Sequence, residues 1–185
     1  MFLKTMLPTP LGPMLAVAFE TSLCGLEFDR PERATRLWRR LGHWRPGVTV
    51  EEGEAPVFET TRAWLARYFA SAESATDPVP LDLMGTEFER AVWQELQAIV
   101  PGQTTSYGAI AARLGRSDAA RAVGAAVGAN PVSIIVPCHR VVGTGGSLTG
   151  YGGGLDRKEW LLRHERARGV AGDLFVVPFE DDRPS

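Results

Sequence analysis

The chain has 185 residues, with 20 Lys and Arg against 22 Asp and Glu and a formal net charge of -2. That composition is ordinary for a globular protein with a real core, in one or two domains, and no apolar run approaches the ~20 residues of a membrane helix. Two cysteines, Cys24 and Cys138, are too few for a disulfide framework or a cysteine-rich zinc site.

In chain order, the start carries Pro8, Pro10 and Pro13 and lacks a small-residue cleavage site, so no signal peptide is read and a cytoplasmic location is expected. Residues 13–19 and 23–28 predict two strands joined through Glu20-Thr21-Ser22. Cys24 lies in the second and reads as a packing residue. Residues 31–42 predict a helix opened by Pro31 and closed by Gly42; 47–54 read as loop or strand. A second helix over 56–69 sets Val57, Thr61, Trp64, Leu65, Tyr68 and Phe69 on one face. The small-residue and acidic stretch 71–80 then places a domain boundary near Leu83, giving expected units of 1–83 and 84–169 and a tail of 170–185.

The second half begins with an amphipathic stretch over 86–100, in which Thr86 and Glu89 form a capping-box pattern. Pro101-Gly102 ends it. Helices over 106–114 and 118–128, separated by Gly115-Arg116-Ser117, make a helix-turn-helix pattern, and a last helix is expected over 158–168. Charge is uneven: residues 1–83 carry 9 basic and 11 acidic side chains, residues 84–169 carry 10 and 7. This gives modest support for a polyanion partner. The second helix of the pair is almost all Ala and Gly, with Arg121 its one long side chain. A helix that reads the major groove offers several long polar side chains. A smooth one suits close approach to the minor groove, or tight packing inside the domain.

Residues 130–140 read Asn-Pro-Val-Ser-Ile-Ile-Val-Pro-Cys-His-Arg. A cysteine is a nucleophile only as thiolate and needs a base or positive charge nearby; His139 and Arg140 follow Cys138 directly. Pro137 stiffens the approach. Most free cysteines are inert packing residues, so this motif draws its weight from its company.

That company is Ser106-Tyr107, Ala119-Ala120-Arg121-Ala122-Val123-Gly124, Asn130-Pro131, Val136 to Val142, Tyr151-Gly152-Gly153-Gly154, and Lys158 to Leu162 with His164-Glu165. In order and spacing the chain resembles the O6-alkylguanine-DNA alkyltransferases, also called methylated-DNA–protein-cysteine methyltransferases. The resemblance covers residues 85–169 closely and the first eighty loosely. It implies an α/β first domain, with a small antiparallel sheet and helices, and a mostly α-helical, winged-helix-like second domain carrying the helix-turn-helix. It also implies irreversible, single-turnover transfer of the alkyl group from O6-alkylguanine in DNA to Cys138, with activity on O4-alkylthymine left open.

By the same resemblance, His139 acts as base through a water and Glu165 orients it, in the logic of a triad. Arg140 structures the site. Tyr107 lies by the flipped nucleotide, Asn130 braces the turn, and the Cys138 and Val141 carbonyls accept from the guanine amino group. The Gly152 N–H holds O6. Tyr151, Gly152 and Gly153 wall the pocket, and Ser133 faces the alkyl substituent. Ser106, Arg116, Ala119, Ala120, Arg121 and Ala122 meet the DNA, and Arg121 fills the space left by the extruded base. The partner is duplex DNA, entered from the minor groove by a monomer. No cofactor or metal is expected: the first domain offers only Cys24 and His43 for the structural zinc of some relatives. Two departures stand out. Gly152 replaces a frequent Ser, and Ser133 replaces the Pro of some members.

Three rivals follow from the same residues. A lesion-binding protein without chemistry would lack Cys138. A cysteine hydrolase leaves the helix-turn-helix unexplained. A transcriptional regulator would need longer side chains on the 118–128 helix.

Overall fold

The computed structural model describes residues 1–72 and 77–166. The expected tail and the end of the last expected helix, at Arg168, lie outside the described residues.

The first half holds a four-stranded sheet. Strands β1 (Phe2–Leu7), β2 (Met14–Phe19) and β3 (Ser22–Phe28) are antiparallel neighbours, and β4 (Val50–Glu52) pairs parallel to β1, giving the order β3-β2-β1-β4. The expected antiparallel sheet is therefore mixed. Strand β1 was not expected from the sequence; it is completed by pairing with residues far along the chain as well as with β2.

Side chains alternate across the pleat. Leu15 and Val17 join Leu37 and Leu41 of helix α1 (Pro31–Trp44) on one face. Met14, Ala16 and Ala18 join Val57, Phe58 and Leu65 of α2 (Pro56–Ala70) on the other. Gly25 is required where α1 crosses β3, since a Cβ there would lie 2.7 Å from a Leu37 methyl.

The second half comprises α3 (Glu87–Gln97), α4 (Tyr107–Arg113), α5 (Ala120–Gly128) and α6 (Leu155–His164), with β5 (Thr105–Ser106) and β6 (Val141–Val142) forming a short parallel pair. The capping box is present: Glu89 N–H donates to Thr86 Oγ1 at 3.2 Å and Thr86 N–H to Glu89 Oε2 at 2.9 Å. Such a cap contributes about 1 kcal/mol. Trp93 is fully buried and donates to the Ala126 carbonyl at 2.9 Å, tying α3 to α5. Helix α6 starts three residues before its expected start because Gly154, at φ 101, supplies the turn into it.

The free edge of β3 joins the two halves. Leu23 N–H donates to the Pro80 carbonyl, and the Leu23 carbonyl accepts from Asp82 N–H. Further along, Leu26 N–H donates to the Pro131 carbonyl at 2.9 Å, and Ser133 N–H returns to the Leu26 carbonyl at 2.7 Å. An exposed strand edge is thus covered by the segment that leads to Cys138.

Candidate active site

Residues 130–137 form a compact turn, not a strand. Asn130 organises it. Its Oδ1 accepts from Val132 N–H at 3.0 Å, and its Nδ2 donates to the Val136 carbonyl at 2.8 Å. Ile134 sits inside this turn at φ 71 and is 1% exposed. A β-branched residue in the left-handed region stores about 1–3 kcal/mol of strain, held here by burial and by the β3 bonds. The turn delivers Cys138, His139 and Arg140 as one 3-10 turn, all three buried.

Glu165, just past the end of α6, collects the next two side chains. His139 Nε2 lies 2.7 Å from Glu165 Oε1. Arg140 Nε donates to Oε2 at 2.8 Å and its Nη2 to Oε1 at 2.9 Å, while its Nη1 donates to the Ile99 carbonyl. The guanidinium beside Cys138 in sequence therefore serves Glu165, not the thiol. A fourth donor to Glu165 is the Tyr68 hydroxyl at 2.6 Å. With Nε2–H committed to the carboxylate, His139 Nδ1 is the acceptor nitrogen, and it is buried with no partner among the described residues.

Burial sets the protonation states. It raises the Cys138 thiol above its ordinary value, and the Asn130 hydrogen bond and the positive charges of Arg33 and Lys158 only partly oppose this. It lowers His139, against the pull of Glu165. Burial would also raise Glu165, but the hydrogen bonds and charge around it, chiefly His139 and Arg140, hold it well below the usual carboxylate range. Burial thus favours the uncharged form of both the thiol and the imidazole. Cys24, donating to the Val17 carbonyl, is pushed up to about 12, mainly by burial, which leaves it inert.

Lys158 is fully buried behind Cys138. Its Nζ donates to the Val141 and Thr149 carbonyls, both at 2.6 Å, and desolvation brings it down to about 8. This orients the Val141 carbonyl and the loop before Tyr151. The Tyr151 ring stands edge-on to His139 at 6.4 Å, with its hydroxyl buried. Gly153 packs against Phe28 and Tyr151, and a side chain on Gly152 would meet the Arg33 guanidinium. Ser133 is 1% exposed and its hydroxyl donates to Glu27 Oε2 at 3.0 Å, because β3 lies over this part of the turn.

The helix pair presents a separate surface. Ser106 caps α4, accepting from Ala109 N–H at 3.1 Å. Tyr107, at the first position of α4, lies 3.4 Å from the Thr149 hydroxyl. Arg116 stacks over Phe88 at 5.5 Å. Ala119 and Ala120 are half-buried, while Arg121 and Ala122 are exposed at the start of α5. The expected residues therefore form two groups: Cys138, His139, Glu165, Asn130, Val141, Tyr151, Gly152 and Gly153 around one buried centre, and Ser106, Tyr107 and the α5 residues on an outer face.

Two family models together span nearly all of the described chain. The 6-O-methylguanine DNA methyltransferase ribonuclease-like domain matches residues 2–83, and the DNA binding domain of the same family matches residues 87–167. The chain belongs to the 6-O-methylguanine DNA methyltransferase family. A methylated-DNA–protein-cysteine methyltransferase of Salmonella typhimurium is 47% identical over 169 residues, covering 88% of this chain and 95% of the relative. One of Mycobacterium tuberculosis is 42% identical over 164 residues, covering 88% and 92%. Among solved structures, M. tuberculosis OGT in complex with DNA superposes with a TM-score of 0.73 at 37% identity, covering 92% of this chain and 95% of that one. The O6-methylguanine-DNA methyltransferase of Pyrococcus kodakaraensis gives 0.67 at 26% identity, covering 89% and 99%.

In this methyltransferase, Tyr68, Lys158 and the Glu27–Arg33 pair contact the candidate site, which the sequence did not reveal. Lys158 carried a signal, a lone lysine inside a matched motif. Tyr68 reads as one more apolar-face residue of α2, and Arg33 as one of several arginines on α1, so nothing in their local pattern marks them.

Proposed function

We propose that this methyltransferase repairs DNA by direct reversal, with Cys138 Sγ attacking the alkyl carbon on O6 of guanine. The S–C bond forms as the C–O6 bond breaks. The electron pair stays on the base, which takes up a proton and returns to guanine. The thiol proton passes to His139 Nδ1 through a water, and Glu165 holds the imidazolium that forms. The observation that carries this reading is His139 itself: neutral by burial, anchored through Nε2, with Nδ1 a free buried acceptor next in chain to Cys138. A thioether is stable to everything in the site, so each molecule acts once.

The target carbon is inaccessible in a stacked duplex, so the nucleotide must leave the stack. Arg121 supports this step: among the described residues it makes no hydrogen bond or ion pair, and small side chains surround it. The Ala/Gly surface of α5 suits the minor groove. Ser106, Tyr107, Arg116 and residues 119–122 form the DNA face. Tyr151, Gly152, Gly153 and the Val141 carbonyl form the pocket, with Asn130 as its brace. We read residues 1–83 and 84–169 as two domains of a cytoplasmic monomer. Among the described residues no helix is long and apolar enough to cross a membrane.

The test is incubation with duplex DNA carrying a labelled O6-methylguanine. Label transferred to protein in one equivalent supports the reading. Binding without label favours a lesion binder, and repeated turnover of an ester or amide favours a hydrolase.

A further inference from the structure

A carboxylate has two oxygens and about four acceptor positions. Glu165 receives four donors, three on Oε1 and one on Oε2. Three donors come from the turn that carries Cys138: one from His139 and two from Arg140. The fourth comes from the other half of the molecule. It is the hydroxyl of Tyr68 on α2, 97 positions away in sequence and 2.6 Å from Oε1.

Tyr68 is built into this position. It is 1% exposed, and Glu165 is buried with it. Its ring stacks on Trp64 at 5.3 Å with planes 8° apart and meets the His164 ring edge-on at 5.3 Å. Its backbone carbonyl accepts from His164 Nε2 at 2.6 Å. Helix α2 is thereby clamped to the end of α6, with the phenol aimed at Glu165. Burial, with the neighbouring Glu165 charge, keeps that phenol protonated far above neutral pH, so it only donates.

We propose that Tyr68 is a positioning residue for alkyl transfer: its hydroxyl fixes the Glu165 carboxylate and, through it, the tautomer and basicity of His139. This rests on the assignment of Cys138 as acceptor and His139 as its base. Oε1 serves Tyr68, His139 and Arg140 at once. Without the phenol, more of its charge falls on His139 Nε2–H, and the imidazole holds protons more strongly. The carboxylate is also free to rotate onto Arg140 alone, which releases Nε2 and lets the proton settle on Nδ1. Both changes reduce the fraction of His139 able to take the thiol proton. Arg140 cannot supply the missing donor, because its Nη1 is engaged by the Ile99 carbonyl. The first half of the chain is then a working part of the active site, and activation of Cys138 requires the two halves to be docked.

Tyr68 could instead be packing alone, and the two roles separate at the hydroxyl. Tyr68→Phe keeps the ring that stacks on Trp64 and His164 and removes only the donor. Phe69→Leu disturbs the same interface, where Phe69 lies 5.4 Å from Tyr68 and 5.8 Å from Trp160, and keeps the hydroxyl. The experiment is single-turnover transfer from a labelled O6-methylguanine duplex to the full chain, over roughly pH 5.5 to 9, with duplex affinity and Tm measured alongside. Tyr68→Phe is expected to slow transfer about tenfold or more and to move the acid limb of the profile to higher pH, with duplex affinity unchanged. Phe69→Leu is expected to keep the wild-type pH profile. A Tyr68→Phe protein with wild-type rate and profile overturns the proposal. So does one whose loss follows its Tm with an unshifted profile, as for Phe69→Leu. Failure of the underlying reaction assignment would show in the wild type, which would then take up no label at all.

Discussion

Glu27 on β3 accepts a hydrogen bond from the Ser133 hydroxyl at 3.0 Å, across the seam between the two halves of the molecule. The same carboxylate is paired with Arg33 of α1, whose guanidinium also donates to the Gly128 carbonyl at 3.3 Å and the Asn130 carbonyl at 3.4 Å. The first part of the turn carrying Cys138 is thus gripped by the first half of the chain.

Removing one partner of this buried pair leaves the other charge uncompensated. Arg33→Ala is expected to lose about 3–5 kcal/mol of stability, read as a fall in Tm, whereas replacing both Glu27 and Arg33 by apolar residues of similar volume should cost far less. Burial already pushes the Glu27 carboxyl above its ordinary range, despite Arg33 and Ser133. Arg33→Ala should push it further. An Arg33→Ala protein as stable as the wild type would mean that Glu27 finds water there.

The nucleophile assignment has a direct check. Cys138→Ala should abolish transfer and leave duplex affinity within a few-fold, since phosphate contacts supply most affinity. Cys24→Ala should change little, because that thiol is buried in the sheet and held protonated. Peptide mass mapping after reaction should place the alkyl mass on the Cys138 peptide; mass on the Cys24 peptide would reverse the assignment.

The pH dependence follows from His139 and Glu165. Both have folded values below their ordinary ones. The contribution of neutral, buried His139 is complete above about pH 6.5 and is lost as pH falls below it. That of Glu165 is complete above about pH 4.5 and is lost as pH falls through its depressed value. Tm should therefore be level near neutrality and decline once pH drops below about 6.5. Transfer should be level over the same neutral range and fall on the acid side, where His139 becomes protonated. A transfer rate already falling as pH drops from about 8 to 7 would contradict a depressed His139.

Arg121 replaces an extruded base only where there is a stack to fill. Unstacking costs a few kcal/mol in duplex DNA and much less in a single strand or a free alkylguanine base. Arg121→Ala should slow single-turnover transfer on duplex far more than on the free base. A phosphate contact would instead weaken all DNA binding alike and lower the salt slope by about one. Equal losses on duplex, single-stranded and free-base substrates would make Arg121 a structural residue, against its exposure on α5.

Local chemistry makes much of this protein legible from its residues alone. The capping box at Thr86 and Glu89, the Pro31 and Pro56 helix starts, the Ala/Gly helix with one arginine and the Pro-Cys-His-Arg turn are written in neighbouring residues, where spacing along the chain equals spacing in space. What depends on distant pairing was not legible. β1 is completed by β4 as well as β2, and the edge of β3 is covered by Pro131 and Ser133. Burial by that packing raises the Cys138 thiol, against the pull of nearby positive charge, which its sequence neighbours alone do not reveal. It turns Ser133 toward Glu27, assigns Arg140 to Glu165, and brings Tyr68 to the same carboxylate from 97 residues away. The order of residues specifies which groups can do chemistry. Packing specifies which of them share a proton, since hydrogen bonding and desolvation act over a few ångströms and carry no record of position in the chain.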